Sequence, residues 1–283
     1  MPTRLMITPN ALPRYGLLLL ILLSGMFVEL LGADEPAKST ADQRVKVLLV
    51  TGVEYHNWRE TASQIAKQLA SCPDIDIRLE TDINVLCSDE IFRYDVLFFN
   101  FWNSRDDKPT RDDELALSNI EKFLASGKGI VVYHLAIGIF ETRKERVEPI
   151  IGRVYDRALP GHDPFREFEV NVVKSEHPIM KGVSNFKIQD ELYTCFALDG
   201  RPIEVLAEAT SINVKKAFPM AYLYERGPGH VFTTVLGHDR RALACPEFVT
   251  ILRNAVLWLG HHDVPAEPAQ VVSPAEPIAD GVK

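Results

Sequence analysis

The sequence predicts an α/β fold, a doubly wound and mostly parallel sheet with antiparallel additions in its second half. Three observations predict it. Continuous apolar runs at Val45 to Gly52, Tyr94 to Phe101 and Gly129 to His134 read as strands buried on both faces. Helical stretches alternate with them, which favours an open sheet with right-handed crossovers. Beyond about residue 165, alternating apolar and polar residues and a Gly/Pro turn take over, the signs of antiparallel pairing.

Each element follows from its own pattern. The first strand, VKVLLVTG, ends at Gly52, and a helix from about Trp58 to Ala70 carries Ile65, Ala66 and Leu69 on one face. Ile75 to Glu80 alternates as a second strand, and YDVLFFNF is the third. A helix opened by Thr110 runs through Leu115, Ile120, Phe123 and Leu124 and stops at Gly127. GIVVYH is the fourth strand. Phe165 to Val173 reads as an edge or antiparallel strand, and Pro202 to Ala209 as another. Ala221 to Tyr224 and His230 to Leu236 flank ERGPG as a hairpin. Pro246 to Leu259 closes the domain as an amphipathic helix.

The two ends have a different character. Arg4 and Arg14 precede an apolar run from Leu17 to Leu31, and Leu31-Gly32-Ala33 offers small residues for cleavage. Residues 1–33 therefore read as a secretory signal peptide. A membrane anchor is disfavoured because the run falls short of about 20 residues and contains Glu29. Residues 34–44 read as a linker and 45–260 as the domain. The Pro/Ala-rich stretch 261–283 shows no apolar periodicity, so a disordered tail is expected. The expected location is exported, periplasmic or extracellular, with no integral span in the mature chain.

Charge and cysteines narrow the partners. The 283 residues carry 31 basic and 39 acidic side chains, a formal charge of −8. Removing the leader removes Arg4, Arg14 and Glu29, leaving about −9. No basic cluster remains to neutralise a phosphate backbone, which argues against nucleic acid, disfavours polyanions and is compatible with small neutral substrates. Cys72, Cys87, Cys195 and Cys245 lack CxxC spacing, so a cysteine-built zinc site is not expected. One or two disulfides are compatible with export, with Cys72–Cys87 the short loop; the four cysteines allow three complete pairings. The oligomeric state is open, a homo-oligomer included.

In an open α/β sheet, ligands bind beyond the carboxyl ends of the strands. Those places hold Tyr55, His56, Asn57 and Trp58 after the first strand, and Asn100, Trp102 and Asn103 after the third. His134 follows the fourth, and His238 with Asp239 follows the strand ending at Leu236. Any one such histidine is more often a packing residue than a catalyst, so convergence on one rim carries the signal. His177 and His230 read as structural, and His261 and His262 as part of the tail.

HNW after the first strand, GIVVYH, IIGRVYDRALPGH, SEHPIMKGVSNFKIQDELY, PMAY before GHVFTTVLGHD, and AVLWLG resemble the ThuA-like family, named for trehalose utilisation. The resemblance covers about Val45 to Gly260. It implies a flavodoxin-like fold similar to class I glutamine amidotransferases and a link to carbohydrate breakdown beside oxidoreductases that make keto-sugars. By matching motifs it implies His56, His134, His162, Asp190, Glu191, Tyr193 and His238 as rim groups. Tyr222 stands where the family usually has Trp, and HLAIGIF departs from its usual small, polar run.

An amidotransferase needs a cysteine nucleophile on the sharp turn after a central strand. Here that turn reads His134-Leu135-Ala136-Ile137-Gly138, and no GxSxG occurs either. Imidazole and carboxylate chemistry remains: proton transfer, or a divalent metal on His56, His134, His162 and His238, whose spacing has no ligand signature. The expectation is a hydrolase, lyase or isomerase acting on a small-molecule sugar or keto-sugar. Glu191 is the expected base, His134 and His56 acid–base or orienting groups, and His162 and His238 positioning groups. Trp58, Trp102 and Tyr222 would face a sugar ring, with Asn57, Asn100, Asn103, Asp190 and Tyr193 near its hydroxyls. The alternative is a non-catalytic carbohydrate-binding or accessory protein.

Overall fold

A computed structural model describes residues 44–53, 55–103 and 112–273. The expected leader, the linker up to residue 43, Thr110 and residues 274–283 lie outside them. Strands β1 (Val45–Val50), β2 (Ile75–Glu80), β3 (Val96–Phe99) and β4 (Gly129–Tyr133) form where the apolar runs predict. Helices α1 (Trp58–Ala70) and α2 (Asp113–Ala125) connect them. Then come α3 (Lys144–Ile151), β5 (Arg166–Val172), β6 (Phe186–Asp190), β7 (Glu204–Thr210), β8 (Ala217–Arg226), β9 (Gly229–Thr234) and α4 (Pro246–Leu259).

The strands make one nine-stranded sheet in the order β2-β1-β3-β4-β9-β8-β7-β5-β6. From β2 to β9 the pairings are parallel, and from β9 to β6 antiparallel. The chain moves one way from β1 to β2 and the other way from β3 to β4. Right-handed crossovers in opposite directions place α1 and α2 on opposite faces. α1 packs beside α4, and α2 beside α3. The parallel strands are sandwiched between these layers; β3 and β4 are buried at every residue. The direction of winding reverses between β1 and β3, which opens a crevice at the carboxyl edge there.

The antiparallel half refines the expectations. β5 is antiparallel but internal, and β6 is the edge strand. β7 begins after Pro202, which has no N–H to donate. β8 is longer than expected and includes Pro219, tolerated where the β7–β8 register is irregular.

Two expectations are corrected. The stretch from 261 to 273 is not a loose tail but docks on α1 and α4. Gln68 donates to the Val272 carbonyl (2.9 Å) and accepts from its N–H (2.8 Å), and Arg253 donates to the Glu267 carbonyl (2.7 Å). Buried side chains that need hydrogen-bond partners hold the backbone without any apolar periodicity. The four cysteines are all free. Cys72 accepts from Ile75 N at the amino edge of β2, whereas the Cys87 thiol meets the Asp112 carbonyl at the start of α2, beyond the carboxyl edge. A disulfide needs Cα atoms about 5.5–6 Å apart, and opposite edges of a sheet do not provide that.

Candidate functional site

The site is assembled from residues immediately after β1, β4, β6 and β9. His134 is the first residue beyond β4 and has φ +50°, a left-handed conformation costly for a residue with a Cβ. The sharp elbow is therefore present, with an imidazole at its tip. Its Nδ1 lies 2.8 Å from the Val235 carbonyl. A carbonyl only accepts, so Nδ1 carries the proton and Nε2 offers a lone pair. That lone pair receives the Tyr193 hydroxyl at 3.0 Å.

β6 delivers Asp190 and Glu191. Asp190 is wholly buried and accepts from the backbone N–H of Gly237 (2.6 Å), Glu191 (2.8 Å) and His238 (3.1 Å). It thereby pins the loop after β9 to the end of β6. Burial pushes its carboxyl up to about 7 against these donors. Gly237 has φ +117°, and a Cβ there would lie 2.2 Å from the Tyr133 hydroxyl oxygen, which itself donates to the Gly237 carbonyl. Only glycine suits this position.

Glu191 is the hub. Its carboxylate lies 3.1 Å from His238 Nδ1, 3.6 Å from His162 Nε2 and 3.9 Å from His134 Nε2. Burial would raise the Glu191 carboxyl, but the surrounding imidazoles, His238 first, hold it below its ordinary value. The same contact raises His238. Burial drives His134 well below the ordinary histidine value, with His56 adding to the effect. The His56 ring sits 4.5 Å from that of His238 and 5.0 Å from that of His134. One ligand atom from each of His56, His134, Glu191 and His238 lies within 4.8 Å of all the others.

His162 reaches the hub through a local bridge. It pairs antiparallel with Tyr193, and the Asp163 side chain anchors the segment by accepting from the Ser211 hydroxyl (2.7 Å) and Ile212 N (2.7 Å). His162 Nδ1 meets the Asp163 carbonyl at 2.7 Å, which points Nε2 at Glu191.

Above these groups opens a cavity of about 360 Å³ walled by Tyr55, Trp102, Tyr155 and Arg157. The Arg157 guanidinium lies over the Trp102 and Tyr155 rings and is paired with Glu141. Trp102 packs against Gly138, where a Cβ would come within 2.7 Å of its indole nitrogen. Cys195 also lines the cavity, but burial pushes its thiol up to about 12, so it supplies no thiolate.

Of the expected site residues, the structure brings together His56, His134, His162, Glu191, Tyr193, His238 and Trp102, with Asp190 supporting them from behind. The others have different work. Asn57 is exposed and caps α1, its side chain accepting from Glu60 N. Trp58 opens α1 under the Arg59 guanidinium. Asn100 donates to the Thr61 hydroxyl, and Asn103 accepts from Phe140 N (2.7 Å). Tyr222 is fully buried beside Phe196, so it faces the core and not a sugar. Tyr155 and Arg157 were not anticipated as walls, whereas Tyr55 was expected at the rim after β1. Tyr155 and Arg157 lie in the IIGRVYDRALPGH motif, which was the available signal.

Similar structures repeat this architecture. A ThuA-like protein from Parabacteroides merdae superposes with TM-score 0.66 at 20% identity, over 83% of this chain and 96% of its own. A ThuA-like protein from Bacteroides uniformis gives 0.60 at 18%, over 80% and 95%. A glutamine amidotransferase from Thermotoga maritima gives 0.50 at 11%, over 77% and 98%. These likenesses establish the fold, which is that of class I glutamine amidotransferases. No curated protein sequence matches the chain. The family described as ThuA, trehalose utilisation, matches residues 46–259, nearly the whole described domain, and the chain belongs to that family.

Proposed function

We propose that this protein is an exported enzyme of carbohydrate breakdown that acts on a sugar or keto-sugar by proton transfer between imidazole and carboxylate groups. Family membership supports a carbohydrate-related role. One observation carries the chemistry: a carboxylate ringed by three imidazoles within 3.9 Å at the floor of an aromatic-walled cavity. The cavity falls within the roughly 300–1,000 Å³ of small-molecule sites. Flat rings such as Trp102 and Tyr155 suit the apolar face of a sugar.

A keto-sugar needs a base to take the proton from the carbon beside its carbonyl. An acid must then return a proton to the resulting enolate, or to the oxygen that leaves in an elimination. Glu191 is placed to accept the first proton. His162, with its side chain 43% exposed and Nε2 3.6 Å from that carboxylate, is placed to carry protons between Glu191 and the cavity. His134, with Nδ1–H fixed on the Val235 carbonyl, orients the Tyr193 hydroxyl. The elbow carries an imidazole where an amidotransferase carries its cysteine, and burial keeps the nearby Cys195 thiol neutral, which argues against amide transfer. Export rests on the leader ending near Ala33.

The test is incubation of the purified protein with trehalose and related disaccharides, each in its ordinary and its ketone form. Product from a ketone form, lost in Glu191→Gln, is the expected result. Tight binding with no product from any of them would sink the enzymatic reading in favour of a binding or accessory protein.

A further inference from the structure

We propose that His56, His134, Glu191 and His238 hold one divalent transition-metal ion, of the zinc class, at the floor of the cavity. The four groups come from four separate connections, after β1, β4, β6 and β9, and no local motif forces them together. Yet their ligand atoms all stand within 4.8 Å of one another. A filled tetrahedral site, with bonds of about 2.0–2.1 Å, has edges of about 3.3 Å. The widest pair must close by about 1.5 Å when the ion binds.

One supporting bond is that of a metal-binding histidine. A ligating imidazole ordinarily donates its other N–H to a carbonyl or carboxylate, which fixes the tautomer and aims the lone pair. His134 does this with Nδ1–H on the Val235 carbonyl (2.8 Å). Asp190, buried behind the site, ties down the main chain at both Gly237 and His238.

The donor set selects the ion. Three nitrogens and one carboxylate suit zinc, cobalt, nickel or copper and disfavour magnesium and calcium, which take oxygen ligands. The inference rests on the cavity of the preceding section as the place of chemistry. A Glu191 carboxylate bound to the ion would not also serve as the free base, so proton abstraction would pass to His162, whose Nε2 lies 3.6 Å from it. The ion would polarise the sugar's carbonyl oxygen by taking it as a fifth ligand. His162, outside the four, would remain to move protons. Tyr193 would lose its bond to His134 Nε2 and free its hydroxyl for the sugar.

The test uses the purified protein stripped by a strong chelator and titrated with Zn²⁺ and Co²⁺ by calorimetry and visible spectroscopy. We expect one equivalent bound, with cobalt bands of low-symmetry nitrogen and oxygen coordination, and no competition from Mg²⁺. His56→Ala and Glu191→Gln should each weaken binding at least tenfold, and His162→Ala should keep it. Circular dichroism checks the folds, and His56→Ala, in a half-exposed loop, decides if Glu191→Gln misfolds. Absence of stoichiometric uptake, or equal affinity in the His56→Ala protein, overturns the site. Sugar turnover is scored in parallel. Stoichiometric metal without product supports the site and sinks the carbohydrate enzyme, whereas product from protein that takes up no metal does the reverse.

Discussion

The sheet has a cluster of histidines at each edge, and the two behave differently. At the carboxyl edge, His134, His162 and His238 surround the Glu191 carboxylate, and His56 packs against two of them. At the amino edge, His177 and His230 stand edge-on to Trp258, with ring centroids 5.2 and 4.9 Å away. The cavity beside this second pair is the larger, about 470 Å³ against 360 Å³. Cavity size alone would therefore choose the wrong edge. What separates them is the partner of each ring nitrogen. His177 Nδ1 accepts from Ile179 N and is spent on a turn, and burial lowers the histidine further. At the carboxyl edge, backbone carbonyls hold one nitrogen of His134 and of His162 and turn the other toward Tyr193 and Glu191.

The largest effect that tests this contrast is on turnover. Replacing Glu191 by Gln keeps the shape but removes the charge, and should lower kcat/KM by about 10²–10⁴, the usual worth of a placed acid or base. Steady-state kinetics on the responsive substrate measures it. A loss under tenfold would mean the carboxylate is not the hub.

Next comes the support beneath the hub. Gly237→Ala places a Cβ 2.2 Å from the Tyr133 hydroxyl oxygen at a φ of +117°. Backbone strain and overpacking together should cost about 3 kcal/mol or more. Chemical denaturation reads this as a lower midpoint, and an unchanged midpoint would show that the loop after β9 gives way freely.

A smaller effect, about 1–3 kcal/mol at neutral pH, is expected for Asp163→Asn. Burial would raise this carboxyl, but the Ser211 hydroxyl and the backbone N–H groups of Ile212 and Asn213 outweigh it and leave it below the ordinary value. A carboxyl depressed in the folded state stabilises above its unfolded pKa of about 3.9, and that stabilisation is lost as pH falls through the lower folded value. The gap between the two proteins should therefore be constant near neutrality and narrow below about pH 4. A gap that does not change down to pH 2 would show that the charge contributes nothing.

How much of this was legible in the sequence depends on the kind of signal. The parallel half was readable because burial on both faces writes itself as continuous apolar runs such as YDVLFFNF. β6 was not, since only Phe186, Ile188 and Asp190 turn inward in a five-residue strand. Its end nevertheless carries Asp190 and Glu191, so the hub was recognised by resemblance and not by pattern. Asn57 had a local signal that pointed elsewhere: Asn with Glu60 three residues on is a helix start, and that is its role. Tyr222 misled because β8 is buried on both faces from Phe218 to Tyr224, leaving no alternation to tell core from cavity. Tyr55 was legible at the rim after β1, whereas Tyr155 and Arg157 reach the cavity on the loop after α3, a place that no strand-end pattern marks.

The smallest predicted effect is the most direct check on the contrast between the edges. His230 is the second residue of β9, at the edge away from the hub, and its ring meets Trp258 at 4.9 Å and 73°. Such an edge-to-face pair contributes about 0.5–1.5 kcal/mol beyond the area it buries. His230→Ala should therefore lower the unfolding midpoint slightly while leaving kcat and KM unchanged. β9 complicates the expectation, because it runs from His230 directly to the loop that carries His238. Its backbone pairing with β4 and β8 does not depend on the His230 side chain, so the strand should hold its register. A fall in kcat at constant stability would show that the two edges communicate along β9, and the division between a packing pair and a working cluster would then have to be abandoned.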